Sequence, residues 1–464
     1  MSCLRNFLIT PIFCIVVVIA SLGLLKCFSP AVKPEIAEDG WWALEEKPKD
    51  YPNFLKFQPE EFKIKFEDHM IKDLKERLSK TKFASPLVDT KFHYGINIEH
   101  LKSILLYWQN VYDFKKYENE LNKFSHYKVE IEGIKVHFLR AKTTAAKNVK
   151  PILLIHGWPG SIWEFYKMIP LLLENGSFDI ICPSIPGYGF SEAPHRQGFN
   201  ALETARIFRK LMHILGYEKF YVQGGDWGSL IASLLSAAYP NSIEGMHVNM
   251  GIPAYARKSA LIKYYLSQLF PSSFLDEIDS AKTTFIGSFF NVLLETGYFH
   301  IQGTKPDTVG VALQDSPAGL AGYILEKFST WTNSSYKDLF DGGLTKKFTL
   351  DELLTNIMIY WSTNSITSSV RYYKENICNE DLQFRWSLVP IEVPSGYADF
   401  PNELVPITKL GVETKIANLI HFEHMERGGH FGAFEEPELL SKDIIKFINK
   451  VEQLKKDEQL KNSK

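Results

Sequence analysis

The sequence has few cysteines, and its acidic and basic residues nearly balance. The cysteines are Cys3, Cys14, Cys27, Cys182 and Cys378. They form no CxxC pair and no metal-ligand spacing, so neither a disulfide framework nor a zinc site is predicted, and a mostly reducing setting is favoured. The formal net charge of -2 offers no large basic excess for binding nucleic acid.

What the chain does have is length and apolar side chains. Its 464 residues are too many for one small domain, but they suit one core that carries a large insertion. Hydrophobic residues make up 45% of the chain and aromatic residues 14%, which is enough for a sizeable core.

An uncharged, almost wholly apolar run extends from Phe7 to Leu25, between Arg5 and Lys26. At a helical rise of about 1.5 Å, its roughly 19 residues just span the hydrocarbon core of a bilayer. A secretory signal peptide is the alternative, but its apolar region is normally shorter, and no clean small-x-small cleavage motif follows this one. We therefore expect a retained transmembrane anchor within residues 1–30, with a lipid bilayer as its partner.

The remaining chain divides into four stretches. Residues 31–125 form a predicted wrapping segment, in which Phe66–Leu78 and Ile98–Tyr112 have helical spacing of apolar residues. Residues 126–250 and 389–464 read as two parts of one α/β core. Residues 251–388 between them are aromatic and mostly helical in pattern, and an insertion of this kind predicts a lid over the carboxyl ends of the strands, where open α/β sheets bind ligands.

Strands and helices alternate through the two core stretches. A hairpin is predicted from Tyr127–Ile131 and Ile134–Leu139, which flank Glu132-Gly133. Further predicted strands are Pro151–Ile155, Phe178–Cys182, Lys219–Gln223, Ile243–Val248, Val389–Val393 and Ile416–His421, with helices at Ala201–Leu215, Leu230–Ala238 and Pro437–Leu460. This alternation predicts a mainly parallel sheet covered by helices on both faces.

The motif Gly224-Gly-Asp-Trp-Gly-Ser229 lies between a short apolar strand and a helix-forming run. Strand, glycine-flanked polar residue and helix together are typical of a nucleophile elbow, although the usual central residue is serine. The alternative is an ordinary turn in which Asp226 caps the helix. If the elbow is functional, its carboxylate would attack an alkyl carbon and form an ester.

Later residues supply candidates for the other members of a triad, which follow the nucleophile as acid and then base in this fold. His430 lies in the glycine-rich loop Glu426-Arg-Gly-Gly-His-Phe-Gly432 and is the candidate base. Asp399 and Glu403 are both candidates for the acid, and the spacing does not separate them. His421 and His424 suggest a metal pair, but no third ligand cluster accompanies them in the sequence, so no metal site is predicted.

A turn that follows an apolar strand, His156-Gly-Trp-Pro159, is expected beside the elbow. In hydrolases of this shape, one backbone amide from that turn and the amide after the nucleophile form an oxyanion hole. The amides of Trp158 and Trp227 are the candidates. The alternative is a tight turn that carries a core tryptophan.

The sequence motifs resemble those of the epoxide hydrolases of the α/β-hydrolase superfamily. The similar motifs are His156-Gly-Trp-Pro-Gly-Ser161, Gly224-Gly-Asp-Trp-Gly-Ser229 and Gly428-Gly-His-Phe431. The apolar run, the long N-terminal segment, Gly297-Tyr-Phe-His-Ile-Gln302, Lys305-Pro-Asp-Thr308 and Arg371-Tyr-Tyr-Lys-Glu-Asn376 resemble the microsomal branch, which includes the insect juvenile hormone epoxide hydrolases. The resemblance covers essentially the whole chain.

The resemblance implies an α/β-hydrolase fold with a mostly parallel sheet, a helical lid insertion, an N-terminal wrapping segment and an N-terminal membrane anchor. It assigns Asp226 as nucleophile and His430 as base, and it selects Glu403 over Asp399. It also points to the lid residues Tyr298 and Tyr373 as proton donors, although Tyr372 leaves a one-residue ambiguity.

The same resemblance implies the substrate and the location. The substrates would be water and a small apolar epoxide (a xenobiotic, a lipid or a juvenile hormone), and no cofactor or metal would be needed. The expected location is the endoplasmic reticulum membrane, crossed once, with the catalytic body in the cytosol. The sequons at Asn175 and Asn333 would carry glycans only if that body were lumenal.

Two other functions are compatible with these residues. A haloalkane dehalogenase shares the aspartate nucleophile and the following tryptophan, but it needs halide-binding donors in place of two phenols. A catalytically silent, membrane-anchored lipid or hormone binder could use a degenerate hydrolase fold. The intact set of Asp226, Glu403 and His430 weighs against the binder.

Overall fold

The computed structural model of the protein describes residues 33–143, 149–282 and 293–463. The predicted anchor, Phe7–Leu25, lies outside these residues. Within the three described ranges, the helices are all too short or too polar to cross a bilayer. The free thiols Cys182 and Cys378 are respectively buried and exposed.

One nine-stranded sheet organises the described residues, in the order β1-β2-β3-β5-β4-β6-β7-β8-β9. The strands are β1 (Glu60–Phe62), β2 (Ser125–Ile131), β3 (Ile134–Lys142), β4 (Lys150–Ile155), β5 (Phe178–Pro183), β6 (Phe220–Gly224), β7 (Ile243–Val248), β8 (Ser395–Asp399) and β9 (Leu419–His424). The pairs from β5 through β4 to β9 are parallel, whereas β1, β2 and β3 form an antiparallel edge. The predicted mainly parallel sheet is confirmed.

Helices cover the sheet and fill the long insertion. In the core and the N-terminal segment they are α1 (Asp68–Ser79), α2 (Ile98–Asn110), α3 (Phe114–Leu121), α4 (Met168–Asn175), α5 (Ala201–Ile214) and α6 (Trp227–Ala238). Between β7 and β8 they are α7 (Lys258–Leu269), α8 (Pro271–Phe274), α9 (Glu277–Ala281), α10 (Gly297–Thr304), α11 (Pro306–Asp315), α12 (Pro317–Thr330), α13 (Leu350–Thr363) and α14 (Ile366–Ile377). The last three are α15 (Lys409–Glu413), α16 (Gly432–Glu435) and α17 (Pro437–Asn462).

Two predicted strands need correction. Val389–Val393 is not a strand, since only Ile391 forms an isolated bridge, to Ile416. The strand predicted at Ile416–His421 instead spans Leu419–His424. Apolar content suggested strands at both places. The residues that pair with β7 instead come after Val393 and include the small residues Ser395 and Gly396.

The N-terminal segment contributes both a strand and a set of contacts to the insertion. Strand β1 lies at the edge of the sheet and pairs with β2. Its sequence was too short to be predicted as a strand. The hydroxyls of Tyr107 and Tyr117 both donate to the carboxylate of Asp351, at 2.9 Å each. The hydroxyl of Tyr112 lies within hydrogen-bonding distance of Thr355, which is on α13 together with Asp351. These contacts fix the insertion against the segment that precedes the core.

Candidate active site

Asp226 lies between β6 and α6 in a backbone conformation that only a few non-glycine residues of the described chain adopt, with φ at 50°. The neighbouring glycines allow this turn. A Cβ at Gly224 would lie 2.3 Å from the carbonyl of Gly228, and one at Gly228 would lie 2.0 Å from the carbonyl oxygen of Ile155. The side chain of Asp226 makes no capping hydrogen bond to α6. Asp226 is therefore aimed away from its helix, unlike a capping residue.

The carboxylate of Asp226 is held from two sides. The backbone N–H of Trp158 donates to Oδ1 at 2.7 Å. Oδ2 lies 3.3 Å from Nε2 of His430, which is longer than a strong charge-assisted hydrogen bond. Trp227 opens α6 directly after Asp226, so its amide belongs to the first helical turn, where N–H groups lack helical acceptors.

His430 is oriented by Glu403, whose Oε1 lies 2.7 Å from Nδ1 of the imidazole. The competing carboxylate, Asp399, instead contacts His424 and Lys282. Burial disfavours the imidazolium, but the negative charges of Glu403 and Asp226 outweigh burial and hold the pKa of His430 well above its usual value. The geometry therefore distinguishes Glu403, which contacts His430, from Asp399, which contacts His424 and Lys282. Residue spacing alone could not distinguish them.

The loop that carries His430 is held by Glu435, a residue that the sequence analysis did not single out. Its carboxylate accepts from the N–H of Gly429 at 2.8 Å and from the N–H of Phe431 at 2.9 Å. Burial raises the pKa of Glu435 to about 8, although these amides act in the opposite direction. One side chain therefore fixes the backbone on both sides of His430.

Two tyrosines of the insertion reach the same region. The ring of Tyr298 on α10 stacks on Trp158, with ring centroids 5.3 Å apart. The ring of Tyr373 on α14 makes edge contacts with Trp158 and with Trp227, at 5.7 and 4.8 Å. Burial first, with the charge of Asp226 adding to it, raises the pKa of both phenols well above the usual value. Both are therefore neutral donors near the carboxylate.

Tyr372 and Tyr373 have different partners. The hydroxyl of Tyr372 lies 2.9 Å from Oγ1 of Thr204 on α5. The hydroxyl of Tyr373 is buried and has no hydrogen-bond partner among the residues that the structure describes. The free donor is thus on Tyr373, the tyrosine that the sequence analysis preferred.

A small cavity of about 20 Å³ lies beside Asp226, and we call it the rear cavity. Its polar lining consists of Glu164, Gln223, Asp226, Asn249 and His430. The sequence analysis singled out neither Glu164 nor Gln223. The available indication was a polar residue inside an apolar run, in Ile162-Trp-Glu-Phe165 and in Phe220-Tyr-Val-Gln223.

No metal site was predicted at His421 and His424, because no further ligands accompany them in the sequence. The structure corrects this reason, since each histidine lies in an acidic group of its own. Ligand atoms of His424 lie close to those of Asp276 and Asp279, and ligand atoms of His421 lie close to those of Glu423 and Asp443. The two histidines are three apart on β9 and therefore face opposite sides of the sheet. A lysine is paired with one carboxylate of each group, Lys282 with Asp279 at 3.1 Å and Lys446 with Glu423 at 2.7 Å.

A parallel sheet with an acid on a strained strand-to-helix turn, followed by a carboxylate and a histidine, defines an α/β-hydrolase. Two family models agree with this class. The model "alpha/beta hydrolase fold" matches residues 150–386, and the model "Epoxide hydrolase N terminus" matches residues 59–165.

Individual relatives narrow the class. The chain is 46% identical to Epoxide hydrolase 1 of Sus scrofa, with 89% of this chain and 93% of the relative covered. It is 43% identical to Juvenile hormone epoxide hydrolase 1 of Ctenocephalides felis, with 90% of each covered. The crystal structure of juvenile hormone epoxide hydrolase from Bombyx mori superposes with a TM-score of 0.85 at 40% identity, covering 90% of this chain and 100% of that one. The chain belongs to the epoxide hydrolase family, and its activity is the hydrolysis of epoxides.

Proposed function

We propose that the protein converts apolar epoxides to vicinal diols through a covalent ester on Asp226. The observation that carries this proposal is the pair of environments around that carboxylate. The carboxylate contacts an amide donor and His430, and two neutral phenols, Tyr298 and Tyr373, lie in the same region. A nucleophile, a base and acid groups are the parts that ring opening and ester hydrolysis require.

In the first half of the reaction, a carboxylate oxygen of Asp226 forms a bond to one carbon of the epoxide. The bond from that carbon to the ring oxygen breaks, and the oxygen takes a proton from a phenol of Tyr298 or Tyr373. Oδ1 is already engaged by the Trp158 amide, so Oδ2 is the attacking oxygen. Both phenols are neutral over the physiological pH range, so each still carries the proton that the alkoxide needs.

In the second half, water attacks the carbonyl carbon of Asp226 while His430 takes a proton from it, with Glu403 orienting the imidazole. Formation of the ester removes one of the two negative charges that raise the pKa of His430. The imidazole therefore becomes a base once the ester has formed. The amides of Trp158 and Trp227 bind the oxyanion, and its collapse releases the diol and regenerates Asp226.

The insertion between β7 and β8 serves as the lid of this site. Its contribution is to bring the rings of Tyr298 and Tyr373 against Trp158, whose amide holds the carboxylate. An aromatic, mostly apolar lining suits an apolar epoxide such as a xenobiotic arene oxide, a fatty-acid epoxide or a juvenile hormone. A turnover comparison of juvenile hormone, styrene oxide and a fatty-acid epoxide ranks these substrates.

The apolar run Phe7–Leu25 anchors the protein in the endoplasmic reticulum membrane, with the catalytic body in the cytosol. Support comes from the length of the run and from the path of the chain after it. Nζ of Lys33 donates to the carbonyl of Ala238, at the end of α6 away from Asp226. The sequons at Asn175 and Asn333 give the test, because a glycosidase-induced gel shift of the native protein would contradict a cytosolic body.

The ester is tested by a single turnover in heavy-oxygen water, with excess enzyme over epoxide. The label is expected in Asp226 and not in the diol, because water attacks the carboxyl carbon and the diol leaves with the original oxygen of Asp226. Asp226→Ala is expected to abolish diol formation. Label that appears only in the product under these conditions would contradict the covalent ester.

A further inference from the structure

The reaction leaves one requirement without a residue, which is the placement of the water that hydrolyses the ester. His430 can take one hydrogen of that water, but one hydrogen bond does not fix the direction of the oxygen lone pair. A second acceptor is needed, on the same side of Asp226 as His430. The rear cavity is on that side, since His430 and Asp226 both line it.

The size and lining of the rear cavity fit one water molecule. Its volume of about 20 Å³ exceeds the space of roughly 10–15 Å³ that the centre of one water occupies. In the described part of the chain, Oε1 of Gln223 has no hydrogen-bond partner, and Nε2 of His430 has only the ion-pair contact of 3.3 Å with Oδ2 of Asp226. The amide of Gln223 is oriented by its other end, because Nε2 donates to Oδ1 of Asn249 at 3.1 Å. Buried polar atoms without partners are uncommon and indicate a bound group.

Glu164 is a further polar side chain of this lining that has no role in the proposed reaction. It lies deep in the protein, yet part of its surface stays accessible, as expected for a side chain that faces a cavity. Its Oε2 lies close to Gly160, where an added Cβ would approach it to 2.7 Å. Burial, with the charge of Asp226 adding to it, raises the pKa of Glu164 to about 8. At neutral pH the group is therefore mostly a neutral acid, with one donor and one acceptor.

We propose that Glu164, with Gln223 beside it, positions the hydrolytic water in the rear cavity for attack on the Asp226 ester. The water donates one hydrogen bond to Nε2 of His430. It donates the other to the C=O oxygen of the Glu164 side-chain carboxyl group or to Oε1 of Gln223. The lone pair then points at the carbonyl carbon of Asp226. The carboxyl group of Glu164 neither gains nor loses a proton in this step, so His430 remains the base. This inference rests on the proposed ester mechanism.

The position of Glu164 predicts a defect in only one half of the reaction. Glu164 lines the rear cavity together with His430, whereas Tyr298 and Tyr373, the proposed proton donors to the epoxide, do not line it. Losing the water contact should therefore slow ester hydrolysis and leave ester formation nearly unchanged. A residue with only a structural role would affect both steps or neither.

The test is a rapid-quench single turnover with styrene oxide, in which intact-protein mass spectrometry follows the adduct on Asp226 and chromatography follows the diol. For Glu164→Leu, we expect ester hydrolysis to fall by about 10–100-fold, as for loss of a buried hydrogen bond, with adduct formation within about 3-fold of the unchanged protein. Glu164→Gln keeps an acceptor of the same shape, so its hydrolysis should stay within about 5-fold. Adduct hydrolysis by Glu164→Leu at the unchanged rate, or equal slowing of both steps, overturns the inference.

A second variant protects the test against misfolding of Glu164→Leu. Gly160→Ala places a methyl group 2.7 Å from Oε2 of Glu164, which is closer than van der Waals contact, so the carboxyl group must shift. We expect the same selective slowing of hydrolysis, by about 10-fold. Unaltered hydrolysis in Gly160→Ala counts against the inference. If the unchanged protein forms diol without any adduct, the proposed ester itself fails, which is a different outcome from normal adduct hydrolysis in the Glu164 and Gly160 variants.

Discussion

Two histidines near the carboxyl end of the chain are buried and hydrogen-bonded to carboxylates, and one of them, His430, lines the rear cavity. Nδ1 of His430 lies 2.7 Å from Glu403, and its Nε2 faces Asp226 and the rear cavity. Nε2 of His421 lies 2.6 Å from Asp443, whose other oxygen lies 2.8 Å from Nε2 of His247. Both groups thus consist of histidines and carboxylates, but the numbers of each differ between the two groups.

The proportion of charges explains why the two groups differ in use. Around His430, two carboxylates face one imidazole, and one of those carboxylates can be esterified. Around Asp443, two imidazoles contact one carboxylate, and the nearby Glu423 is paired with Lys446. Burial alone would raise the pKa of Asp443, but the hydrogen bonds from His247 and His421 outweigh burial and lower that pKa to about 2. The second group therefore stays charged and serves stability, whereas the first can change its charge during a reaction.

Replacing each histidine by glutamine is the largest expected contrast. His430→Gln should lower diol formation by about 10³-fold or more, with the ester accumulating, because the base of the second half is lost. His421→Gln should leave turnover per folded molecule within about 3-fold. Steady-state turnover and intact-mass measurements on both variants check this. Comparable loss of turnover in the two variants would remove the distinction between the groups.

The two orienting carboxylates give the next contrast. Glu403→Gln should reduce turnover by about 10²-fold through the imidazole that it orients. Asp443→Asn should instead lower the free energy of unfolding by about 3 kcal/mol, because it leaves a buried network without its charge. Urea unfolding followed by fluorescence, together with turnover corrected for the folded fraction, measures both. Full stability in Asp443→Asn would mean that the second group contributes little.

Acid should weaken the fold through Asp443. A carboxyl group with a lowered pKa in the folded state stabilises the fold above its unfolded pKa and loses that contribution as the pH falls. The shift of Asp443 from 3.8 to about 2 corresponds to about 2 kcal/mol, lost between about pH 4 and pH 2. Asp443→Asn should flatten the pH dependence of unfolding over this window. Parallel curves for the two proteins would contradict this assignment.

The smallest contrast concerns two adjacent tyrosines, which extend the comparison from histidines to proton donors. Tyr373→Phe should slow ester formation by about 10-fold, a partial loss because Tyr298 still donates. Tyr372→Phe should stay within about 2-fold, since its hydroxyl is engaged by Thr204. Stopped-flow measurement of ester formation through tryptophan fluorescence checks both. The reverse order of effects would exchange their proposed roles.

Much of the site could be predicted because its residues sit in local motifs. Asp226 follows a strand and lies among glycines that permit a positive φ, and His430 follows Gly-Gly in a loop. The weaker predictions were those without local constraint. Strand β1 has only three residues, and Val389–Val393 is apolar without being a strand. Its isolated bridge at Ile391 shows that apolar content alone does not establish ladder pairing.

The sequence by itself determined the alternation of strands and helices, the aspartate at the elbow, and the order of nucleophile, acid and base. Such features depend on neighbours along the chain, where turn geometry and periodicity act. Residue spacing left Asp399 and Glu403 open and the family resemblance favoured Glu403, but only the tertiary structure shows that Glu403 reaches His430 and that Tyr372 is engaged by Thr204. It alone brought Glu164 to the cavity beside Asp226, 62 residues further along the chain. These outcomes depend on distances between segments that are remote in sequence, and packing of the sheet and the insertion sets those distances.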